Sequence, residues 1–366
     1  MKVLCDRERL REALALVNSV IPSKSTRPAI ENVYLVATDD ALELVGTDLE
    51  VALRYRISEV KVGEPGTALT AARVTADFVR DLTGETVQIE TSGDKLVVAC
   101  GQDRCELQTA DPEEYPVVAH FENEGALALQ GGVFTKLVGR TAFAAAKEQG
   151  RYAMHGILTL VEDQVLRLVA TDGRRLAVAS SPIDADAGPP KRAIVPTKGM
   201  QAFCRVIDDP LENVSVHFGS NQVGLRTKNA EIFARLIDGE FPRYAAVIPS
   251  ETSIGVEADA DLLARKLKLV SNVTTADARA VKLTISKNSI DITGRSTSNG
   301  QASSQLEAIC DADNAEIAFN PDFLIEGLRQ CETEAVRLEF NDKTSPGKFT
   351  LGESYLYIVM PITVDH

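Results

Sequence analysis

Apolar residues recur along this chain at two spacings. Leu10, Leu14 and Val17 lie three and four residues apart within residues 6–20. The same spacing returns at 133–147, with Phe134, Leu137, Val138 and Phe143, and at 259–270, with Leu262, Leu263, Leu267 and Val270. It collects apolar side chains on one face, so three amphipathic helices are expected. After each helix the period falls to two. Alternating runs occupy 33–37 and 42–45, 157–161 and 165–169, and 280–285 and 290–293. Asp39-Asp40, Glu162-Asp163 and Lys287-Asn288 lie between the paired runs and suit hairpin turns. A further strand is expected at 50–57, 175–180 and 302–309. A strand leading into a second, shorter helix is then expected at 68–83, 193–207 and 316–331. More strands follow: 86–90, 96–100 and 104–108; then 214–218, 222–227 and 232–237; then 336–340, 348–351 and 355–359.

This order is the same three times over, and one phrase marks the repeat. Residues 42–48 read Leu-Glu-Leu-Val-Gly-Thr-Asp, 166–172 read Leu-Arg-Leu-Val-Ala-Thr-Asp, and 290–296 read Ile-Asp-Ile-Thr-Gly-Arg-Ser. Each begins 124 residues after the one before (42, 166, 290). Solenoid units are only about 20–50 residues long, so this period is that of a whole domain. Each copy holds two helix-plus-antiparallel-sheet halves, an α+β arrangement. Turn-rich stretches at 112–125 and 242–253 set the expected domains at 1–122, 123–250 and 251–366. A third such stretch, 182–191, falls inside the second copy.

No apolar run approaches the roughly 20 residues that span a bilayer, and residues 1–6 carry no signal-peptide core. The six cysteines show no C-x-x-C pair and no metal-ligand spacing with the four histidines. They read as reduced, structural cysteines, which predicts a cytoplasmic protein. Phosphate-loop, dinucleotide-loop, zinc-protease and nucleophile-elbow motifs are missing from the sequence. Asp48 and Asp172 permit a reading as acidic ligands of a metal-assisted hydrolase, but the third copy has Ser296 there. The simpler reading is an Asp that satisfies backbone N–H groups in a turn. A tandem scaffold with no role on DNA is the other alternative.

The net charge of −14 argues against nucleic acid until its distribution is considered. Residues 134–151 carry Lys136, Arg140, Lys147 and Arg151 against Glu148, 197–205 carry Lys198 and Arg205, and 262–270 carry Arg265, Lys266 and Lys268. Lys24 and Arg27 follow the first helix. Helical segments are thus expected to be neutral to basic, with the acidic excess on strands and loops.

Several longer motifs stand in order along the chain. They are Gly46-Thr47-Asp48-Leu49-Glu50, Ala170-Thr171-Asp172-Gly173-Arg174-Arg175-Leu176-Ala177 and Asp238-Gly239-Glu240-Phe241-Pro242-Arg243-Tyr244, then Ser271-Asn272, Arg279-Ala280-Val281-Lys282-Leu283 and Tyr357-Ile358-Val359-Met360-Pro361-Ile362. With the threefold repeat, they make residues 1–364 resemble the β subunit of bacterial DNA polymerase III, the sliding-clamp family.

The resemblance implies a non-catalytic processivity factor without cofactor or metal. Three clamp domains would form a crescent, and two crescents would join head to tail in a ring. Helices would line a hole threaded by double-stranded DNA, without sequence specificity. Lys24, Arg27, Lys147, Arg151, Tyr152, Lys198, Arg205, Lys266 and Lys268 would face the DNA. A pocket for partner peptides would be lined by Met154, Thr171, Gly173, Arg174, Arg175, Leu176, Pro242, Val247, Ile358, Met360, Pro361 and Ile362. Implied partners are the polymerase catalytic subunit, the clamp loader, and other polymerases and repair proteins carrying clamp-binding peptides. The homodimer interface would involve Arg104, Cys105, Leu107, Leu269, Val270, Ala302 and Ser304. The chain departs from the family pattern at Ala245-Ala246, Gly347, Ala302-Ser303-Ser304 and Cys105, which predicts altered peptide preference and fewer ion pairs between subunits.

Overall fold

The computed structural model describes residues 1–148, 150, 152–183, 188–275 and 279–363. Six α-helices are present among them: α1 (Arg7–Asn18), α2 (Ala72–Asp81), α3 (Gly131–Thr141), α4 (Thr197–Arg205), α5 (Ala260–Ser271) and α6 (Pro321–Leu328). α1 buries Leu10, Ala13, Leu14 and Val17, the i, i+3, i+4, i+7 set that its sequence predicts. Asp6 caps it by accepting from Arg9 N at 2.9 Å, and Asp259 caps α5 from Leu262 N at 2.6 Å.

α3 is shorter than its periodicity predicts. It stops at Thr141 and continues as a single 3-10 turn, Ala142–Ala144. The Thr141 hydroxyl donates back to Leu137 O at 2.8 Å, and Ala146 N leaves the helical ladder to donate to Met154 O at 2.9 Å. Lys147 therefore lies beyond the helix.

The expectation that each repeat opens on a helix is corrected: a short strand precedes each one. Lys2–Asp6, Leu127–Gln130 and Ile254–Asp259 lead into α1, α3 and α5. The first buries Val3 and Cys5 in strict alternation between its neighbours Val60–Glu64 and Thr86–Ser92. The hairpin turn in the second repeat sits one residue later than expected. Glu162 pairs with Val165, and Asp163 and Gln164 take the left-handed conformation at φ +51° and +58°. That pair of dihedrals is a type I′ turn, whose twist matches that of the strands.

The chain divides into two compact units, and the second repeat contributes to both. The first comprises mainly residues 1–135 and 198–236. It carries one 13-stranded sheet, in which Ala230–Arg235 of the second repeat pairs with Val51–Ile57 of the first. The second unit comprises mainly residues 136–183, 189–197 and 237–363. In its nine-stranded sheet, Arg175–Pro182 of the second repeat pairs with Tyr355–Val359 of the third. A separate four-stranded sheet completes this unit.

Candidate binding groove

A groove of about 280 Å³ opens in the second unit beside the pairing of Arg175–Pro182 with Tyr355–Val359. Its lining is mostly apolar: Tyr152, Met154, Leu176, Pro242, Tyr244, Val247, Ile358 and Met360, with Thr171, Gly173, Arg175 and Arg243. Sheet register brings distant residues together here, with Leu176 opposite Ile358 and Arg175 opposite Val359. Leu176 and Ile358 also belong to the core with Leu158, Val169, Ile194 and Phe241. The floor of the groove is thus the upper layer of a packed core. Met360, by contrast, is 38% exposed at the rim, and Val247 is exposed as well.

The repeated phrase forms the turn at one end of the groove. Thr171 Oγ1 donates to Arg175 O at 2.6 Å and accepts from Gly173 N at 3.1 Å. Asp172 Oδ1 accepts from the amides of Arg174 and Arg175 at 2.9 and 3.1 Å. Gly173 sits at φ +85°, a conformation that glycine adopts without strain. Asp48 serves its own turn in the same way, accepting from Glu50 N at 3.0 Å and Val51 N at 2.7 Å. Ser296 Oγ accepts from Ser298 N at 3.3 Å in the third repeat. The carboxylates behind the metal-hydrolase alternative are therefore occupied in turn capping. Among the described residues, no cluster of His, Cys, Asp and Glu has the geometry of a metal site.

Arg175 lines the groove as expected and has a structural role as well. It is only 7% exposed. Its Nε donates to Asp172 Oδ2 at 3.0 Å, Nη2 donates to Phe143 O at 2.6 Å, and Nη1 pairs with Glu326. The guanidinium lies over the rings of Phe323 and Phe143, 4.4 and 5.4 Å from their centroids. Burial alone would lower its pKa; the Glu326 hydrogen bond, Tyr357 and Asp172 outweigh that and raise it. From the groove wall Arg175 also pins α6 and the turn after α3 to the sheet.

Three residues expected in the groove do not line it. Arg174 is exposed and contributes its carbonyl, which accepts from Met360 N at 2.8 Å. Pro361 and Ile362 lead the chain away, and Ile362 N donates to Ala318 O at 2.8 Å. Tyr152, expected to face DNA, lines this groove. Arg243 and Tyr244 were missed as lining residues, although the motif from Asp238 to Tyr244 contains both.

Of the other basic candidates, Lys24, Arg27, Lys147, Arg205 and Lys268 are exposed and Lys266 is half-buried. Lys198 is paired with Asp48. Arg151 lies outside the described residues. The expectation of neutral-to-basic helices fails at α6, which carries Asp322 and Glu326. Both acids are engaged by arginines of other elements, Arg279 and Arg175.

The two strands that carry the expected interface residues each leave backbone unpaired on one side, wholly or in part. Gly300–Glu307 is the end strand of its four-stranded sheet. Asp103–Ala110 pairs along Lys95–Cys100 but meets Gly66–Ala71 only at Thr109 and Ala110. Cys105, Leu107, Ala302 and Ser304 are half-buried and Arg104 is exposed. Leu269 is 56% exposed. Val270 corrects an expectation, because it is fully buried in its own chain. It faces Gly294, where a Cβ would come within 2.9 Å of Val270 Cγ1.

Three family models match the chain in succession. The DNA polymerase III beta subunit N-terminal domain matches residues 1–119, the central domain 128–243, and the C-terminal domain 245–362. The Beta sliding clamp of Escherichia coli strain K12 is 30% identical over 365 residues, covering 99% of this chain and 100% of that protein. The Beta sliding clamp of Salmonella typhimurium matches at the same identity and coverage, 30% over 365 residues. A solved structure of a sliding clamp (DNA polymerase III subunit beta) from Pseudomonas aeruginosa bound to griselimycin has a TM-score of 0.95 at 29% identity, with 100% of both chains covered. The DNA polymerase sliding clamp from Bacillus subtilis, at 24% identity and a TM-score of 0.96 over 100% of both chains, shares the fold.

Proposed function

Because the chain belongs to the DNA polymerase III beta subunit family, we propose that two copies close into a ring around duplex DNA and that the Met360 groove captures partner peptides. The protein is a DNA sliding clamp, a processivity factor built from three clamp domains. The succession of three domain matches along the chain carries this reading. The domain boundaries we propose are 1–122, 123–250 and 251–366.

The ring performs no chemistry in this reading and acts in the cytoplasm. Arg104–Gln108 of one copy pairs with the strand starting near Ala302 of the other, and Leu269 packs beside them. Two such heterologous contacts close a twofold ring. Lys24, Arg27, Lys147, Lys198, Arg205, Lys266 and Lys268 meet phosphates around the hole. Phosphate contacts carry no sequence information, so the ring slides, and its hold weakens steeply with salt. The polymerase catalytic subunit, the clamp loader and repair proteins compete for the groove.

Topology provides the test. A clamp loaded on nicked circular DNA is expected to stay bound and to be lost once the circle is cut. Equal retention on circles and linear DNA refutes encirclement. For the groove, Met360→Ala is expected to weaken a fluorescent clamp-binding peptide about 5- to 150-fold, from about 1–3 kcal/mol of lost anchor contact. Met360 is largely outside the core, so the fold remains intact. Unaltered peptide binding by the folded variant rejects the assignment.

A further inference from the structure

The Met360 groove has a counterpart built from the preceding repeat, in the first unit. Thr47 Oγ1 donates to Val51 O at 2.9 Å and accepts from Leu49 N at 2.9 Å, as Thr171 does with Arg175 and Gly173. Leu49 adopts φ +75° where Gly173 adopts +85°. Arg235 N donates to Glu50 O at 2.8 Å, the same bond that Met360 N makes to Arg174 O. Ala52 lies opposite Phe233 in register, as Leu176 lies opposite Ile358. Between these elements and the segment from Pro116 to Ala119 opens a cavity of about 300 Å³.

We propose that this cavity is a second docking site, for an extended peptide that carries an acidic residue beside an apolar one. The side chains that differ between the two grooves define the preference. Arg235 stands where Met360 stands, is exposed, and makes no ion pair among the described residues. Arg235 is the cationic lining residue, so a peptide carboxylate belongs on its guanidinium; Glu50, the other charged lining residue, adjoins it through the bond from Arg235 N to Glu50 O. Asn221 and Gln222 offer donors and acceptors to a peptide backbone. Phe233 forms an apolar floor, while Leu49, 44% exposed, and the exposed Val117 form an apolar rim. Leu49 keeps its side chain there despite a backbone conformation that favours glycine. The choice of a peptide as occupant rests on the peptide reading of the Met360 groove.

The probe is the blocked peptide acetyl-Ala-Asp-Leu-Ala-Phe-amide, titrated into the full chain to millimolar concentration by calorimetry. Two sites per chain are expected; Arg235→Glu should remove one, and Met360→Ala should weaken the other about 5- to 150-fold. Leu49→Gly should weaken the Arg235-dependent site about 5-fold or more. Its unfolding midpoint should not fall, because glycine suits the turn. Replacing the peptide's Asp by Lys should abolish that site alone. A single site that is weakened in Met360→Ala and untouched by Arg235→Glu overturns this proposal and leaves the Met360 reading standing. A single site lost only in Arg235→Glu overturns the Met360 reading, and the second site then stands on the measured binding rather than on the likeness to that groove. Absence of binding to either overturns both.

Discussion

Replacing Arg175 by methionine separates a structural pin from a peptide contact. The substitution removes buried donors to Asp172 and to Phe143 O. Hydrogen bonds from a charged group contribute about 1.5–3 kcal/mol each, although Asp172 keeps its two backbone donors and loses less. Glu326 is 43% exposed and is resolvated, so its pair adds little. Stacking over Phe143 and Phe323 adds about 0.5–1 kcal/mol per ring. Methionine refills much of the space and regains about 1 kcal/mol through contact with the same rings. The expected net loss is about 2–4 kcal/mol. Urea unfolding followed by circular dichroism measures it. Two compact units invite more than one transition, so the shifted transition should be compared by its midpoint. Peptide affinity of the folded variant should change less than about 3-fold. A stability change within about 0.5 kcal/mol, together with lost peptide binding, refutes the pin and restores Arg175 as a direct ligand contact.

Leu269→Asp should give folded monomers by analytical ultracentrifugation, whereas Val270→Asp should unfold the domain because it buries a charge in a sealed core. The Arg279–Asp322 pair should matter above acid pH only. Its hydrogen bond holds the Asp322 pKa below the ordinary carboxylate value, so its stabilisation is present above about pH 4 and fades as pH falls through the lowered folded pKa. The melting-temperature gap between wild type and Arg279→Gln should therefore be wider at pH 7 than at pH 3; the part that persists reports the bonds from Arg279 to Ser271 O and Thr274 Oγ1. Burial raises the Cys5 and Cys204 thiols to about 12. Both should resist alkylation at pH 8 in the native protein and react once it is unfolded, as read by mass spectrometry.

The periods of 3.6 and 2 determined most elements from sequence, because they depend on residues a few positions apart. The threefold phrase likewise showed three copies of one domain, and its Thr-Asp pair indicated turns that cap their own amides. The apolar groove was legible through a resemblance carried by motifs around residues 171–176, 238–244 and 357–362. Tertiary structure alone decided that α3 ends at Thr141, where Arg175 claims the Phe143 carbonyl. It also decided that Val270 turns inward, that Tyr152 joins the groove, and that Arg175, while lining the groove, pins the elements around it. Pairing of Val51–Ile57 with Ala230–Arg235 created a second groove in the same way. Each outcome depends on side chains brought together from distant parts of the chain, and a local pattern of apolar and polar residues carries no record of which partner arrives.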